Sequence, residues 1–415
     1  MKVEVVTIGT ELLLGFTVDS NGADLGRELA AAGVEVVRRT SVADRPDAIR
    51  ATVIEALDRT GTVITTGGLG PTRDDTTKAV VAEAFGRALI LDPGLLEALE
   101  TRFARLGRPM PAVNRIQAEV PEGAVVLPNP RGTAPGLWLE DARGRLAVLL
   151  PGVPRELRGL LAEEVVPRLQ RRMGPGEHAV VRSRTVRTTG ISESALAERL
   201  AAIEDGLSPL TLAYLPSVLG VDLRLTAWSL LPEEADTRLA TAARRLAAAA
   251  GEHYYGDDEA DLAAVTLSLL RREGRKVGVA ESCTGGLVGA RLTAVPGASD
   301  TFIGSVVAYA DATKMAVLDV PAAVLAAHGA VSEATVRAMA EGVQRRLGVE
   351  CTIAVTGIAG PGGGSPEKPV GTVWLAARVL DGTRATTRVF PGDREEIRRR
   401  AAQAALDLLR RALLS

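Results

Sequence analysis

The sequence is poor in lysine. Its 49 Lys+Arg residues include only Lys2, Lys78, Lys276, Lys314 and Lys368, so 49 − 5 = 44 are arginine. Asparagine is as scarce, with Asn21, Asn114 and Asn129 alone among 415 residues. Both biases fit heat adaptation or a GC-rich genome. Arginine serves wherever a surface cation is needed, so a retained lysine points to chemistry that arginine cannot do. Two cysteines, Cys283 and Cys351, exclude a disulfide framework and suit a reducing compartment. Three histidines (His178, His253, His328) without HxxxH or CxxC spacing exclude the usual zinc arrangements. Aromatics make up 3%, and 49 Lys+Arg face 51 Asp+Glu. With neither a basic block nor stacking rings, nucleic acid is not an expected partner. No apolar run reaches the ~18 residues of a membrane span, and Val3–Ile8 begins a strand with no basic leader, so a cytoplasmic protein is expected.

What is present is strand–helix alternation. Strands are expected at Val3–Ile8, Val34–Arg38, Thr62–Thr66 and Leu146–Leu150, with helices at Ser20–Ala32, Asp44–Arg59, Thr76–Gly86 and Arg155–Arg172. This predicts an α/β domain, a doubly wound parallel sheet whose ligands sit at the carboxyl ends of its strands. Met173-Gly174-Pro175-Gly176 breaks the pattern. Strand Ala179–Thr188, helix Ser192–Ala202, strands Thr211–Leu215 and Val221–Trp228, and helix Glu233–Ala250 then read as a small α+β unit. Gly251–Asp258 reads as a linker. A second α/β domain has strands at Lys276–Ala280, Cys351–Thr356, Gly371–Ala377 and Arg384–Phe390 and closes with the helix Asp393–Leu414. The expected domains are 1–172, 173–252 and 253–415.

Three strand ends of the first domain carry unusual loops. Val3–Ile8 runs into Gly9-Thr10-Glu11, and Leu146–Leu150 into Pro151-Gly152-Val153-Pro154. Thr62–Thr66 runs into Gly67-Gly68-Leu69-Gly70-Pro71-Thr72-Arg73-Asp74-Asp75-Thr76-Thr77, with Lys78 just beyond. Glycines ahead of a helix let backbone N–H groups approach an anion. Asp74 and Asp75 offer hard oxygens for Mg²⁺ or a similar divalent ion. A phosphate cradle beside a metal is what phosphoanhydride hydrolysis needs. The string Asp74–Thr77 is equally suited to capping the next helix.

In the last domain, Lys276–Ala280 runs into Glu281-Ser282-Cys283-Thr284-Gly285-Gly286. A small nucleophile at such a turn is exposed, and nearby backbone amides can hold an oxyanion. Cys283 is intrinsically the better nucleophile but needs a histidine or cationic partner. His328 lies in a segment that reads more simply as a loop in which Ser332 caps the next helix. Ser282 needs a base, and no Ser-His-Asp set is evident. Lys314, in Tyr309-Ala310-Asp311-Ala312-Thr313-Lys314, is the candidate. Burial favours a neutral lysine, and a neutral lysine beside a serine hydroxyl makes a hydrolytic dyad. The loop Thr356-Gly357-Ile358-Ala359-Gly360-Pro361-Gly362-Gly363-Gly364-Ser365 can cradle a phosphate or ribose. Arg394, behind Asp393, either reaches a phosphate bidentately or is solvated.

Gly9–Gly15, Thr66–Thr77, Pro128–Gly136 and Pro151–Arg155 resemble the molybdopterin-binding fold and, more closely, the N-terminal domain of the CinA (competence/damage-inducible) family. Residues 177–250 resemble the KH-like segment of that family. Its nucleic-acid-clamping GxxG loop is replaced here by Gly190-Ile191-Ser192-Glu193, which makes RNA binding unexpected. Ala280–Gly286, Tyr309–Lys314, His328–Glu333, Thr356–Val373 and Phe390–Arg394 resemble the family's C-terminal domain, whose stand-alone form is nicotinamide mononucleotide deamidase. The resemblance implies Ser282 as nucleophile, Lys314 as base and Tyr309, Ser299, Thr356 and Arg394 lining or supporting the pocket. Cys283, Thr284, Gly285, Gly286, Gly357 and Gly360 complete it, and no cofactor is implied there. In the first domain it implies metal-assisted hydrolysis of ADP-ribose to AMP and ribose 5-phosphate. Asp75 would be catalytic or metal-linked, Asp74 its neighbour at the metal, and Glu11, Asn21, Gly67, Gly68 and Gly70 the nucleotide pocket, with Gly152 and Lys78 beside it. A homodimer is implied as well. A binding-only accessory protein, or a molybdopterin carrier, is the rival expectation.

Overall fold

The computed structural model describes residues 1–173 and 180–415. The Gly174–Gly176 break, His178 and the first residue of the strand expected from Ala179 lie outside them. The described chain divides into two compact units, Met1–Arg182 with Ala227–Asp236, and Ser183–Thr226 with Thr237–Ser415.

In the first unit the strands are β1 (Lys2–Ile8), β2 (Glu35–Val42), β3 (Thr62–Thr66), β4 (Leu89–Leu91), β5 (Glu119–Pro121), β6 (Val125–Leu127), β7 (Gly136–Glu140) and β8 (Leu146–Leu150). The main sheet has the order β2-β1-β3-β8-β7-β6, and β4 pairs with β5 in a separate ribbon. β2, β1, β3 and β8 are parallel, whereas β7 and β6 run antiparallel. The antiparallel edge was not expected. Its cause is the short turn Asp141–Arg145, closed by Gly144 N–H donating to the Asp141 carbonyl at 3.0 Å, which leaves no room for a crossover helix. Successive residues of β3 and β8 enter opposite cores. Val63 and Leu149 pack on one side, and Ile64, Val148 and Leu150 on the other, so both faces are covered. An unforeseen helix, Pro93–Arg105, starts where Asp92 accepts from Leu95 N–H at 2.9 Å.

The middle segment folds into β9 (Val180–Thr188), helix Glu193–Glu204, β10 (Leu210–Pro216), β11 (Val221–Leu230), helix Pro232–Ala250 and β12 (Tyr254–Asp257). Its sheet order is β10-β11-β9-β12. The expected linker Gly251–Asp258 is therefore largely structured. Its tyrosines suit a pleated surface, and Tyr254 pairs antiparallel with Thr188.

The last domain has β13 (Val277–Glu281), β14 (Phe302–Val307), β15 (Cys351–Gly357), β16 (Thr372–Val379) and β17 (Gly382–Val389) in the order β14-β13-β15-β16-β17. The first three are parallel, and β16 and β17 are antiparallel. The apolar run before Tyr309 is thus strand β14, followed by helix Asp311–Leu318. The terminal helix Arg394–Leu413 opens on a capping box between Asp393 and Glu396 and packs its Ile397–Ala401–Leu406–Leu409 face into the core.

Candidate functional site

In the last domain, the carboxyl ends of β14, β13 and β15 lie side by side. Parallel neighbours are about 4.8 Å apart, so loops from the two flanking strands meet within about 10 Å. Ala308 N–H donates to the Glu281 carbonyl at 2.8 Å, and Ser282 N–H to the Val355 carbonyl at 2.9 Å. Topology thus brings Tyr309–Lys314, Ser282–Gly286 and Thr356–Gly360 to one edge.

Glu281, which sequence reasoning passed over, builds the turn. It is 0% exposed. Its carboxylate accepts N–H bonds from Gly286 (3.0 Å), Val288 (3.1 Å) and Gly289 (2.9 Å), and the Ser305 hydroxyl at 2.9 Å. The amides that open helix Leu287–Thr293 are therefore claimed by a buried anion. Gly286 makes this possible with φ +93, a conformation side-chain-bearing residues avoid. An acid ending an otherwise apolar strand run was the available signal.

The oxyanion donors narrow accordingly. Gly286 N–H belongs to Glu281, and Gly285 N–H donates to the Ser282 carbonyl at 3.1 Å. Among the described residues the amides of Cys283 and Thr284 have no oxygen partner. Ser282 is 7% exposed, and its hydroxyl makes no hydrogen bond to a described residue. Cys283 is 5% exposed and sits in the apolar core, where burial pushes its thiol up to about 12. It does not present a thiolate.

Lys314 is 1% exposed. Its ammonium donates to the Tyr309 carbonyl at 2.9 Å and to Asp311 Oδ1 at 3.2 Å, which leaves one N–H direction unused. No hydrogen bond joins it to Ser282. Tyr309 is exposed, and its hydroxyl accepts from Arg394 Nη2 at 3.2 Å, while Arg394 Nη1 donates to the Gly360 carbonyl at 2.6 Å. Arg394 therefore ties the Tyr309 loop to the glycine-rich loop. Arg398 similarly holds the Thr284 carbonyl at 2.8 Å.

Ser299 stands elsewhere, and Thr356 reaches the edge only in a supporting part. Ser299 lies in the short turn Ala298–Asp300 before β14, at the amino end of a six-residue strand and so about 20 Å from the carboxyl edge. The chain does not bring it to the site. Thr356 is 1% exposed and its hydroxyl donates to the Ala330 carbonyl at 2.8 Å, so it supports the neighbouring loop and presents no side-chain donor to a ligand.

In the first unit the loops after β1, β3 and β8 do converge. Gly67 N–H donates to the Leu150 carbonyl at 3.1 Å, and Asn21 Nδ2 donates to Thr66 Oγ1 at 3.1 Å and the Gly152 carbonyl at 2.7 Å. A Cβ on Gly67 would stand 2.2 Å from the Ile8 carbonyl oxygen, and φ there is +105. Only glycine lets these backbones meet.

The Asp74–Thr77 string does not cap the helix Thr77–Ala84, whose N-cap Thr76 makes no side-chain cap bond. Asp75 instead accepts the Thr72 N–H at 2.8 Å and the Thr72 hydroxyl, through one oxygen. Asp74 is exposed, and the Oδ1 of Asp75 is unclaimed. The hydroxyls of Thr76 and Thr77 and Asn21 Oδ1 are buried without partners. Among the described residues no three acidic, histidine or cysteine side chains form a cage. Two adjacent carboxylates suit Mg²⁺, which takes one or two carboxylates plus water and substrate oxygens. Glu11 is exposed on the short helix Thr10–Leu13 after β1.

Lys78 is not a phosphate ligand. It is 4% exposed, and its ammonium donates to the carbonyls of Ile116 (2.6 Å) and Glu119 (2.9 Å). Burial lowers it from lysine's usual 10.5 to about 8. A cavity of about 1180 Å³ lies between helix Pro93–Arg105 and the loop Pro128–Pro135, and Asn129, Thr133, Arg102 and Glu163 are among its walls. Glu11, Asn21, Gly67–Gly70 and Asp74 are not.

Fold and strand-edge loops define a modular α/β protein with a molybdopterin-binding-like first domain, a KH-like middle and a distinct C-terminal domain. Family models match accordingly: "Probable molybdopterin binding domain" over residues 4–171, "Damage-inducible protein CinA KH domain" over 183–256 and "CinA C-terminal domain" over 259–413. A CinA-like protein of Gemmatimonas aurantiaca is 55% identical over 413 residues, covering 99% of this chain and 96% of the relative. One from Salinibacter ruber is 44% identical over 414 residues, covering 100% of both. The crystal structure of competence damage-inducible protein A from Klebsiella pneumoniae is 38% identical, covers 37% of this chain and 95% of its own, and has a TM-score of 0.36. The chain belongs to the CinA family. No helix of the described residues is long and apolar enough to cross a membrane.

Proposed function

We propose that this chain is a bifunctional pyridine-nucleotide hydrolase. Its C-terminal domain deamidates nicotinamide mononucleotide to nicotinate mononucleotide and ammonia, and its N-terminal domain hydrolyses ADP-ribose to AMP and ribose 5-phosphate. The observation that carries the reading is Lys314, a lysine 1% exposed on the helix that follows β14, at the same strand edge as Ser282, with one N–H direction unclaimed.

In the neutral amine form, Lys314 Nζ takes the Ser282 proton as Oγ attacks the carboxamide carbon. The amides of Cys283 and Thr284 hold the oxyanion. The C–N bond then breaks, Lys314 returns the proton to the leaving nitrogen, and ammonia departs. Water repeats the sequence on the ester, giving its proton to Lys314 and restoring the Ser282 hydroxyl. Arg394, oriented by Gly360 and Tyr309, takes the substrate phosphate.

In the first unit the open amides of helix Thr77–Ala84 and the Gly67–Gly70 backbone bind the pyrophosphate oxygens. Asp74 and Asp75 would hold a divalent ion, which when bound neutralises phosphate charge and acidifies water. Ser282→Ala and Lys314→Ala should each lower ammonia release from nicotinamide mononucleotide by about 10²–10⁴-fold. Wild-type release from either would sink the dyad, and AMP formation from ADP-ribose that survives chelation would sink the metal role. A protein inert toward both substrates would instead fit the accessory reading.

A further inference from the structure

Outside both strand edges, the second unit holds a cleft of about 760 Å³, within the range of small-molecule sites. One wall is the turn Gly190–Glu193 together with the β10–β11 connection. The opposite wall is β17 and one face of the terminal helix, where Arg400, Gln403, Asp407 and Arg411 recur at three- and four-residue spacing.

The charges on these walls are unevenly matched. Asp407 accepts from Arg410 through Oδ1 and from Arg411 through Oδ2, at 2.7 Å in the latter case. Arg411 also pairs with Glu252 at 2.8 Å. Arg400 has no hydrogen bond or ion pair to a described residue, and its Nε is buried without a partner. Arg388, on β17 in the same cleft, has no side-chain partner among the described residues either. Glu193, across the cleft, pairs with neither. An unsatisfied buried donor is costly, and native proteins keep few of them.

We propose that this cleft binds a small organic phosphate, with the phosphoryl oxygens on Arg388 and Arg400 and an apolar or planar body against Phe390 and Leu219. Two unmatched guanidinium groups call for close to two negative charges, which a phosphate monoester carries near neutral pH. The planar guanidinium fork matches phosphate oxygens. The site is separate from Arg394, whose guanidinium is already held by Gly360 and Tyr309.

The test is isothermal titration of the full chain with phenyl phosphate, benzoate and inorganic phosphate, for wild type, R400Q and R388Q. Wild type should bind phenyl phosphate more tightly than benzoate, which has the ring but one charge, and than inorganic phosphate, which lacks the ring. Each variant should lose about tenfold or more in affinity for phenyl phosphate. Unliganded R400Q should melt at or above the wild-type temperature, because it sheds an unpaired charge. Unchanged affinity in both variants, or no binding by wild type, overturns the proposal. An unliganded R400Q that melts lower identifies Arg400 as a packing residue and also overturns it. R388Q, at an exposed strand position, gives a binding comparison that does not depend on how Arg400 packs.

Discussion

At the scale of single residues, the scarcity of lysine is a pointer with two different meanings. Lys314 and Lys78 are both buried, yet only Lys314 stands at the edge where Ser282 is presented. Lys78 spends its ammonium on two carbonyls of the Ala112–Pro121 segment. Its sequence position, three residues after Asp75, gave no sign of which way the side chain would turn. That choice is made by carbonyls about forty residues away. The lowered value of Lys78 has a pH consequence. Below about 8 both folded and unfolded chains hold the proton, and the cost of burying the ammonium is fully present. Between about 8 and 10.5 the folded state sheds it first, so stability rises with pH by up to about 3 kcal/mol. Urea denaturation at pH 7.5 and 10.5 should show this gain in wild type relative to Lys78→Met, and parallel curves would refute it. The cysteines make a simpler case. Burial pushes Cys283 to about 12 and Cys351 to about 11, so the native protein should release no thionitrobenzoate from Ellman's reagent at pH 8 and both thiols should react once unfolded. On the proposed deamidase reading, Cys283→Ala should keep ammonia release within a few-fold of wild type.

At the scale of elements, what was legible was where strands end. β1, β3, β8 and β13 fall within a residue or two of the expected positions, because short apolar runs that give way to glycine, proline or polar residues fix strand ends locally. Strand direction was less legible. The antiparallel partners β6 and β7 depend on a short turn and on tertiary pairing that periodicity does not encode. The same limit hid Glu281. Its position was visible, but its four donors come from a helix start and from β14, a strand missed because its alternation is half exposed. Glu281→Gln would turn an NH₂ group toward N–H donors and should cost the C-terminal domain about 2–4 kcal/mol, read as a lower melting temperature. Ser299 shows the converse failure. A matched motif position is a statement about order in the chain, and only the sheet reveals which end of a strand it occupies.

At the scale of the whole molecule, two compact units should give two calorimetric transitions. Gly67→Ala should lower one by forcing a side chain onto the Ile8 carbonyl, and Glu281→Gln the other. A single transition shifted by both variants would contradict the division. Within the second unit, the middle segment is joined to the terminal helix by buried polar groups. Arg410 donates to the carbonyls of Tyr254 and Glu252, and Gln403 Nε2 donates to Thr189 Oγ1 at 3.3 Å.

The pairing of β12 with β9 carries a consequence for how such a protein can be cut or fused. Residues that look like a tether are the outermost strand of the middle sheet, so severing the chain at 252 strips that sheet of its border and bares the backbone of β9. The clean seam lies at Asp258, after the last strand residue and before the helix Leu262–Arg272. A cut there keeps the border of the middle sheet intact, and what it exposes is the set of polar groups that Arg410 and Gln403 hold across the seam.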